Sequence, residues 1–139
     1  VAKMLDRAER TGSILAVNDK WGSPTYAPQL VDGCLRLAES GSFGLYHMCN
    51  QGSCTRYDIA VAVNEELGRP FDVRPASSAE FPLPAPRARS EAMVNMVLEL
   101  QGENHMPDWR EAIAEYIGTE WSGWKPGADE SESAIPAGA

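Results

Sequence analysis

An α/β fold of short strands and flanking helices is what this sequence predicts, on three observations. Apolar runs of strand length stand at 13–17 (SILAV), at 43–49 (which contains GLYHMC) and at 71–74. Between them lie stretches whose apolar residues recur every three or four positions, the period of a helix with one buried face. Gly and Pro punctuate the joints. With 139 residues, 43% of them hydrophobic, one domain can bury a core. Three short strands are too few for a complete doubly wound sheet, so the fold reads as a partial one.

The chain opens at Val1 inside a helical pattern, so an upstream portion is expected. Over 2–11, Met4, Leu5 and Ala8 share a face, and Thr11-Gly12 ends the helix because Gly suits the left-handed position beyond it. SILAV follows as a strand, and NDKWGSP turns the chain. From 27 to 40, Leu30, Val31, Cys34, Leu35 and Ala38 repeat as the inward face of an amphipathic helix, with Pro28 tolerated in its first turn. Ser40-Gly41-Ser42 makes a turn into the strand at 43–49, where His47 is expected to be buried. Thr55 to Asp58 has the form of a capping box. The helix it opens runs to Leu67 with Ile59, Val63 and Leu67 inward, and Gly68 and Pro70 stop it. After the strand at 71–74, four prolines at 75, 82, 84 and 86 stiffen the backbone. That run reads either as a linker or as a wall that holds Arg87 and Arg89 over a site. A short helix is expected over 92–101. Asp108 to Glu111 is a second capping box, opening a helix with Trp109, Ile113 and Ile117 on its face. Residues 122–139 are small and polar and are expected to be a disordered tail, which leaves 1–121 as the folded region.

The formal charge of −8 and the lack of any Lys/Arg cluster exclude nucleic acid and an anionic membrane as natural partners. No apolar run approaches the roughly 20 residues that span a bilayer. Three cysteines, an odd number, point to reduced thiols and a cytoplasmic setting. His47, Cys49 and Cys54 lack zinc spacing, so no metal site is expected. Asp19 and Asp32 show no partner and receive no catalytic role. No GxGxxG follows a strand, and no Tyr and Lys stand four apart on a helix. No catalytic residue is therefore assigned, and this chain is expected to hold no cofactor itself.

Four stretches, VNDKWGSPTYAPQLVDGCLRL, GLYHMCNQGSCTRYDIAVAV, AEFPLPAPRAR and MPDWREAIAEYI, occur in an order and spacing that resemble the dTDP-4-dehydrorhamnose reductase family. The resemblance is to the substrate-binding, C-terminal (RmlD-like) part of these extended short-chain dehydrogenases, from Val1 to about Glu120. It implies that the chain lacks the N-terminal Rossmann part, which carries NADPH and the catalytic Tyr and Lys in the family, and is inactive in reduction by itself. It implies a nucleotide-sugar substrate and the Rossmann half of the same enzyme as partners, and it is compatible with a homo-oligomer. The sequence departs from the family at Arg56, where an aromatic residue is common, at Arg87-Ala88 in place of Arg-Pro, and at AMVNMVLEL in place of a polar stretch.

The candidate substrate-binding residues are Arg87, Trp21, Thr25 and Tyr26. A guanidinium on a stiff loop can grip a diphosphate through paired hydrogen bonds, or it can sit on the surface paired with Glu80. A ring at Trp21 or Tyr26 can pack on a base or sugar, or bury itself against the neighbouring helix. Ser23 or Thr25 can cap the helix that follows, and the resemblance favours a cleft-lining role for the loop. A different class of function is a non-catalytic binding or regulatory module, as in the reductase-like subunit associated with methionine adenosyltransferase. A third reading is a partial gene product that exposes apolar surface and unpaired strands.

Overall fold

The computed structural model describes residues 1–68, 71–81 and 84–122. Pro70, Pro82 and the polar tail from residue 123 onward lie outside the described residues. The elements are α1 (Ala2–Thr11), β1 (Ser13–Val17), β2 (Trp21–Gly22), α2 (Ala27–Ser40), β3 (Cys54–Thr55), α3 (Arg56–Glu66), β4 (Asp72–Ala76), a 3-10 turn (Ser78–Glu80), β5 (Ser90–Glu91), α4 (Met96–Gln101) and α5 (Trp109–Glu120). The fold is mixed α/β, with short strands and flanking helices.

Gly12, at φ 70°, ends α1 in the left-handed region, and its amide bonds back to the Ala8 carbonyl. This sharp stop sends β1 alongside β4 in parallel, with Ser13 opposite Asp72 and Val17 opposite Ala76. Pro75 stands inside β4, which is possible because β4 has only one neighbour among the described strands and keeps an open edge. Alternation buries Ile14 and Ala16 and turns Leu15 outward.

α3 is the central helix. Thr55 Oγ1 accepts the Asp58 amide, and Asp58 Oδ2 accepts the Thr55 amide at 2.8 Å, so the capping box forms as expected. One side of α3 brings Ala60 against Ala8, Ile14 and Ala16. The other brings Ala62 and Val63 into a cluster with Leu5, Cys54, Trp109, Ile113 and Ile117. The expected face of α5 is thus in the core. Asp108 caps α5 through the Arg110 amide at 2.9 Å.

Three expectations are overturned. Residues 43–49 form no strand: the segment bends at Gly44 and pairs with no described strand, and β1 pairs with β4 instead. His47 is exposed, because Tyr46 and Met48 take the inward positions. The face of α2 expected to be buried is turned outward, with Val31 56% and Leu35 57% exposed and Cys34 and Ala38 exposed beside them. α2 instead leans on the protein through Gly33 and Leu37, and a Cβ at Gly33 would overlap the Met48 sulfur. Periodicity identified the apolar stripe of this helix but not which side meets the rest of the chain.

Candidate functional site

The stretch NDKWGSP is more than a turn. Its centre, β2, lies between β3, antiparallel to it, and β5, parallel to it. Trp21 stands opposite both Thr55 and Ser90, and its amide donates to the Arg89 carbonyl at 3.0 Å. Lys20 Nζ donates to the Arg87 carbonyl at 2.9 Å. These bonds draw the proline-rich run back over β2, so Trp21 and the backbone of Arg87 belong to one small sheet and its margin. Trp21 is 44% exposed and Arg87 is exposed.

The far end of that run is fixed by Asp19. Its carboxylate accepts the Ser78 amide at 3.0 Å and the Ser77 hydroxyl at 3.0 Å, capping the 3-10 turn. The Ser78 amide bond is the chief reason its carboxyl is held below the usual carboxylate range. The carboxylate without a visible partner in sequence is therefore a structural cap. Glu80 Oε1 accepts the Ser77 amide at 2.7 Å, and no Arg87–Glu80 ion pair forms among the described residues. Within the run 75–90, Ser77 and Ser78 are held by Asp19 and the Arg87 carbonyl by Lys20, so these described parts are tied to the stretch around β2.

Neither Ser23 nor Thr25 caps α2, whose N-cap is Tyr26 without a side-chain bond. Ser23 Oγ accepts the Met93 amide at 3.1 Å and reaches the Met93 and Gly52 carbonyls at 3.3 and 3.4 Å. Thr25 is exposed, and its hydroxyl turns back to the Ser23 carbonyl at 3.4 Å. Tyr26 is half-buried and packs edge-on against Tyr116 of α5, with ring centroids 5.9 Å apart. Trp21 and Arg87 are thus brought to one margin, while Tyr26 is engaged with the last helix.

Two buried asparagines missed by the sequence reading hold these loops. Asn50 is fully buried; its Oδ1 accepts the Tyr26 amide at 2.8 Å, and its Nδ2 donates to Gln29 Oε1 at 2.6 Å and the Pro107 carbonyl at 3.1 Å. Asn95, 2% exposed, accepts the Cys49 amide at 2.9 Å and donates to the Cys49 carbonyl at 2.8 Å and to Asn104 Oδ1 at 3.1 Å. Asn95 pairs both backbone groups of Cys49 as a strand neighbour would, and Asn50 ties the N-cap of α2 to the loop ahead of α5. Asn95 had a signal in sequence, a lone amide within the apolar stretch AMVNMVLEL, whereas Asn50 in MCNQGS had none.

A groove of about 530 Å³ opens elsewhere, between α2, the segment around Met48 and the start of α5. Asp32, Arg36, Leu37, Met48, Glu103 and Met106 are among its walls, and none of the four candidate residues lines it. Its charges are of both signs and point to no single ligand. Of the thiols, Cys54 is buried and its pKa is raised to about 11, chiefly by burial, so it is protonated at neutral pH and is no nucleophile. No cluster with metal-binding character occurs among the described residues, and none of their helices is long and apolar enough to cross a membrane.

Residues 1–121 match the model of the RmlD substrate binding domain. The chain is similar to dTDP-4-dehydrorhamnose reductase of Mycobacterium tuberculosis strain H37Rv, at 41% identity over 116 residues, 82% of this chain and 38% of that protein. Among solved structures, it matches a dTDP-4-dehydrorhamnose reductase of Clostridium acetobutylicum with TM-score 0.81 and 28% identity, over 86% of this chain and 43% of that one. It also matches a dTDP-4-dehydrorhamnose reductase of Bacillus anthracis, solved in complex with NADP, with TM-score 0.76 and 29% identity, over 85% and 42%. The chain thus spans about two fifths of the length of these relatives.

Proposed function

The chain belongs to the RmlD substrate binding domain family, and from this premise we propose that it is the sugar-nucleotide-binding part of a reductase of the dTDP-4-dehydrorhamnose type. The complete enzyme would reduce a 4-keto deoxysugar nucleotide with NADPH, in the supply of deoxysugar for cell-surface polysaccharide. The cofactor and the catalytic Tyr and Lys would come from a Rossmann half, since no glycine-rich turn after a strand stands in this sequence. Its own contribution is to bind and orient the substrate. By itself it would not catalyse reduction. Unpaired cysteines fit the cytoplasmic setting such an enzyme would have.

The observation that carries this reading is the β3-β2-β5 sheet, which gathers Trp21 and the Arg87 loop at one margin with both side chains accessible. A guanidinium fork suits a diphosphate, and an exposed indole suits a base or sugar face. Thr25, exposed on the loop that follows, is assigned an adjoining contact, and Tyr26, packed on Tyr116, is assigned the support of that loop. The test is a thermal-shift titration of the 139-residue chain with dTDP and with thymidine. A larger shift for dTDP, abolished in Arg87→Ala, is the expected result. No shift with millimolar dTDP in a folded sample overturns a site held by this chain alone.

One observation favours a second reading, a non-catalytic binding module derived from the same family. Met93, Val94 and Met96 are 45%, 67% and 59% exposed in the stretch where a polar sequence is usual for the family. A stoichiometric unrelated enzyme recovered with the tagged chain would favour it, and a Rossmann polypeptide would favour the reductase.

A further inference from the structure

Arg87 stands on a stretch with little to hold it. Residues 84–90 are all exposed, so packing against the core does not fix them. Pro84 and Pro86 have no amide hydrogen to donate. Among the described residues, the one hydrogen bond made by any group of residues 84–88 is the 2.9 Å bond from Lys20 Nζ to the Arg87 carbonyl. The next tie along the chain is the Arg89 carbonyl, which accepts the Trp21 amide at 3.0 Å.

The donor of that bond has a firm base. Lys20 is half-buried and lies between two anchored residues. Before it, the Asp19 carboxylate holds the Ser77 hydroxyl and the Ser78 amide. After it, Trp21 belongs to β2, between β3 and β5. Holding the Arg87 carbonyl fixes the plane of the peptide that joins Arg87 to Ala88. The direction in which the Arg87 side chain leaves the backbone is set with it. A guanidinium grips a diphosphate through paired hydrogen bonds that tolerate few approaches, and a misplacement of about 1 Å is enough to lose much of the grip. The salt bridges among the described residues involve neither Arg87 nor Arg89, so both cations are open to an anion.

Resting on the reading that Arg87 takes the diphosphate of a sugar nucleotide, we propose that Lys20 is the positioning residue of that grip. It acts through the Arg87 carbonyl and not by touching the ligand. The ligands it serves are nucleoside diphosphates and their esters; a nucleoside without phosphate is indifferent to it. Lys20 therefore governs how tightly the diphosphate is held, while the base or sugar face is left to the Trp21 ring.

The experiment compares the 139-residue chain with Lys20→Met, which keeps an apolar stem and removes the donor, with Lys20→Arg, which keeps a donor, with Arg87→Ala and with the double variant Lys20→Met/Arg87→Ala. The first readout needs no ligand. Backbone amide relaxation by NMR should show residues 87–89 ordered in the wild type and in Lys20→Arg, and loosened in Lys20→Met. Unchanged order in Lys20→Met overturns the proposal. The second readout is calorimetric titration with dTDP and with thymidine. Lys20→Met should weaken dTDP binding about fivefold or more, and Lys20→Arg should restore it. Thymidine binding should stay within about twofold, and adding Lys20→Met to Arg87→Ala should cost less than about twofold more, because Lys20 acts through Arg87. A full loss in both backgrounds overturns the proposal in favour of direct contact between Lys20 and the ligand. Equal losses for dTDP and thymidine overturn it in favour of a general disturbance of the loop. Binding of dTDP that Arg87→Ala weakens and Lys20→Met does not rejects the positioning role and leaves the substrate reading intact. No dTDP binding by a folded wild type overturns the substrate reading of this chain, and the role of Lys20 with it. Should Lys20→Met fail to fold, Lys20→Ser, too short to reach the carbonyl, takes its place in each comparison.

Discussion

Asn50 Oδ1 accepts the amide of Tyr26 at 2.8 Å, tying the buried end of one loop to the N-cap of α2. The same side chain donates to the Pro107 carbonyl just ahead of α5. One amide group therefore sets where two helices start relative to each other. Replacing it with Ala strands a donor and an acceptor. Asn50→Ala should destabilise the chain by about 2–4 kcal/mol, read as a lower urea midpoint at unchanged slope.

Gly52 carries a second constraint. Its φ is 82°, and a Cβ there would stand 2.9 Å from Trp109 Cδ1. The Trp109 ring is a core anchor and cannot retreat without opening the cluster of Val63 and Ile113. Gly52→Ala combines backbone strain with overpacking and should cost about 2–3 kcal/mol. Gly12→Ala, with a similar φ of 70° but nothing within 4 Å, should cost only about 1 kcal/mol. The difference between the two unfolding midpoints is the measurement.

Cys54 gives the protein a sensitivity to alkali. Burial is the main cause of its raised pKa of about 11 against an ordinary value of 9.0. The unfolded thiol loses its proton first, so the folded state is favoured fully below pH 9 and loses that advantage as pH rises towards 11. The wild type should lose on the order of 2 kcal/mol more than Cys54→Ala between pH 8 and pH 11, by urea unfolding at each pH.

Trp21 and Arg87 should separate binding from stability. Both are exposed, so Trp21→Ala and Arg87→Ala should each leave the unfolding midpoint within about 0.5 kcal/mol of wild type. Arg87→Ala should weaken dTDP binding by about tenfold or more, and Arg87→Lys should restore only part of it, because a lysine lacks the paired geometry. Calorimetric titration reads both. Equal loss with thymidine, which has no diphosphate, would contradict the assigned contact.

The helices were legible because their signals are local. Thr55 and Asp58 stand three apart, Trp109, Ile113 and Ile117 stand four apart, and Gly12 can take a conformation that few residues tolerate. The three-stranded sheet was not legible, since two-residue strands such as Trp21-Gly22 have no period to read. Arg87 is exposed, but the residues that tie its run down, Asp19 and Lys20, showed nothing in sequence because their partners lie 59 and 67 residues away. Ser23 was read as a helix cap and proved a bridge between loops for the same reason. The stripe on α2 was real, but a stripe records only that something apolar should cover it.

The parallel pairing of β1 with β4 also sets a schedule. Ser13 meets Asp72 only after α2, residues 43–49 and α3 have been made. At translation rates of about 5–20 residues per second, β1 leaves the ribosome on the order of 3–12 s before its partner exists. Throughout that interval SILAV is an apolar segment without its β4 partner, and closing so long a loop costs entropy that only the completed core offsets. The newborn chain is thus most exposed to misassociation before α3 appears, and nascent-chain binding by a holdase should peak there.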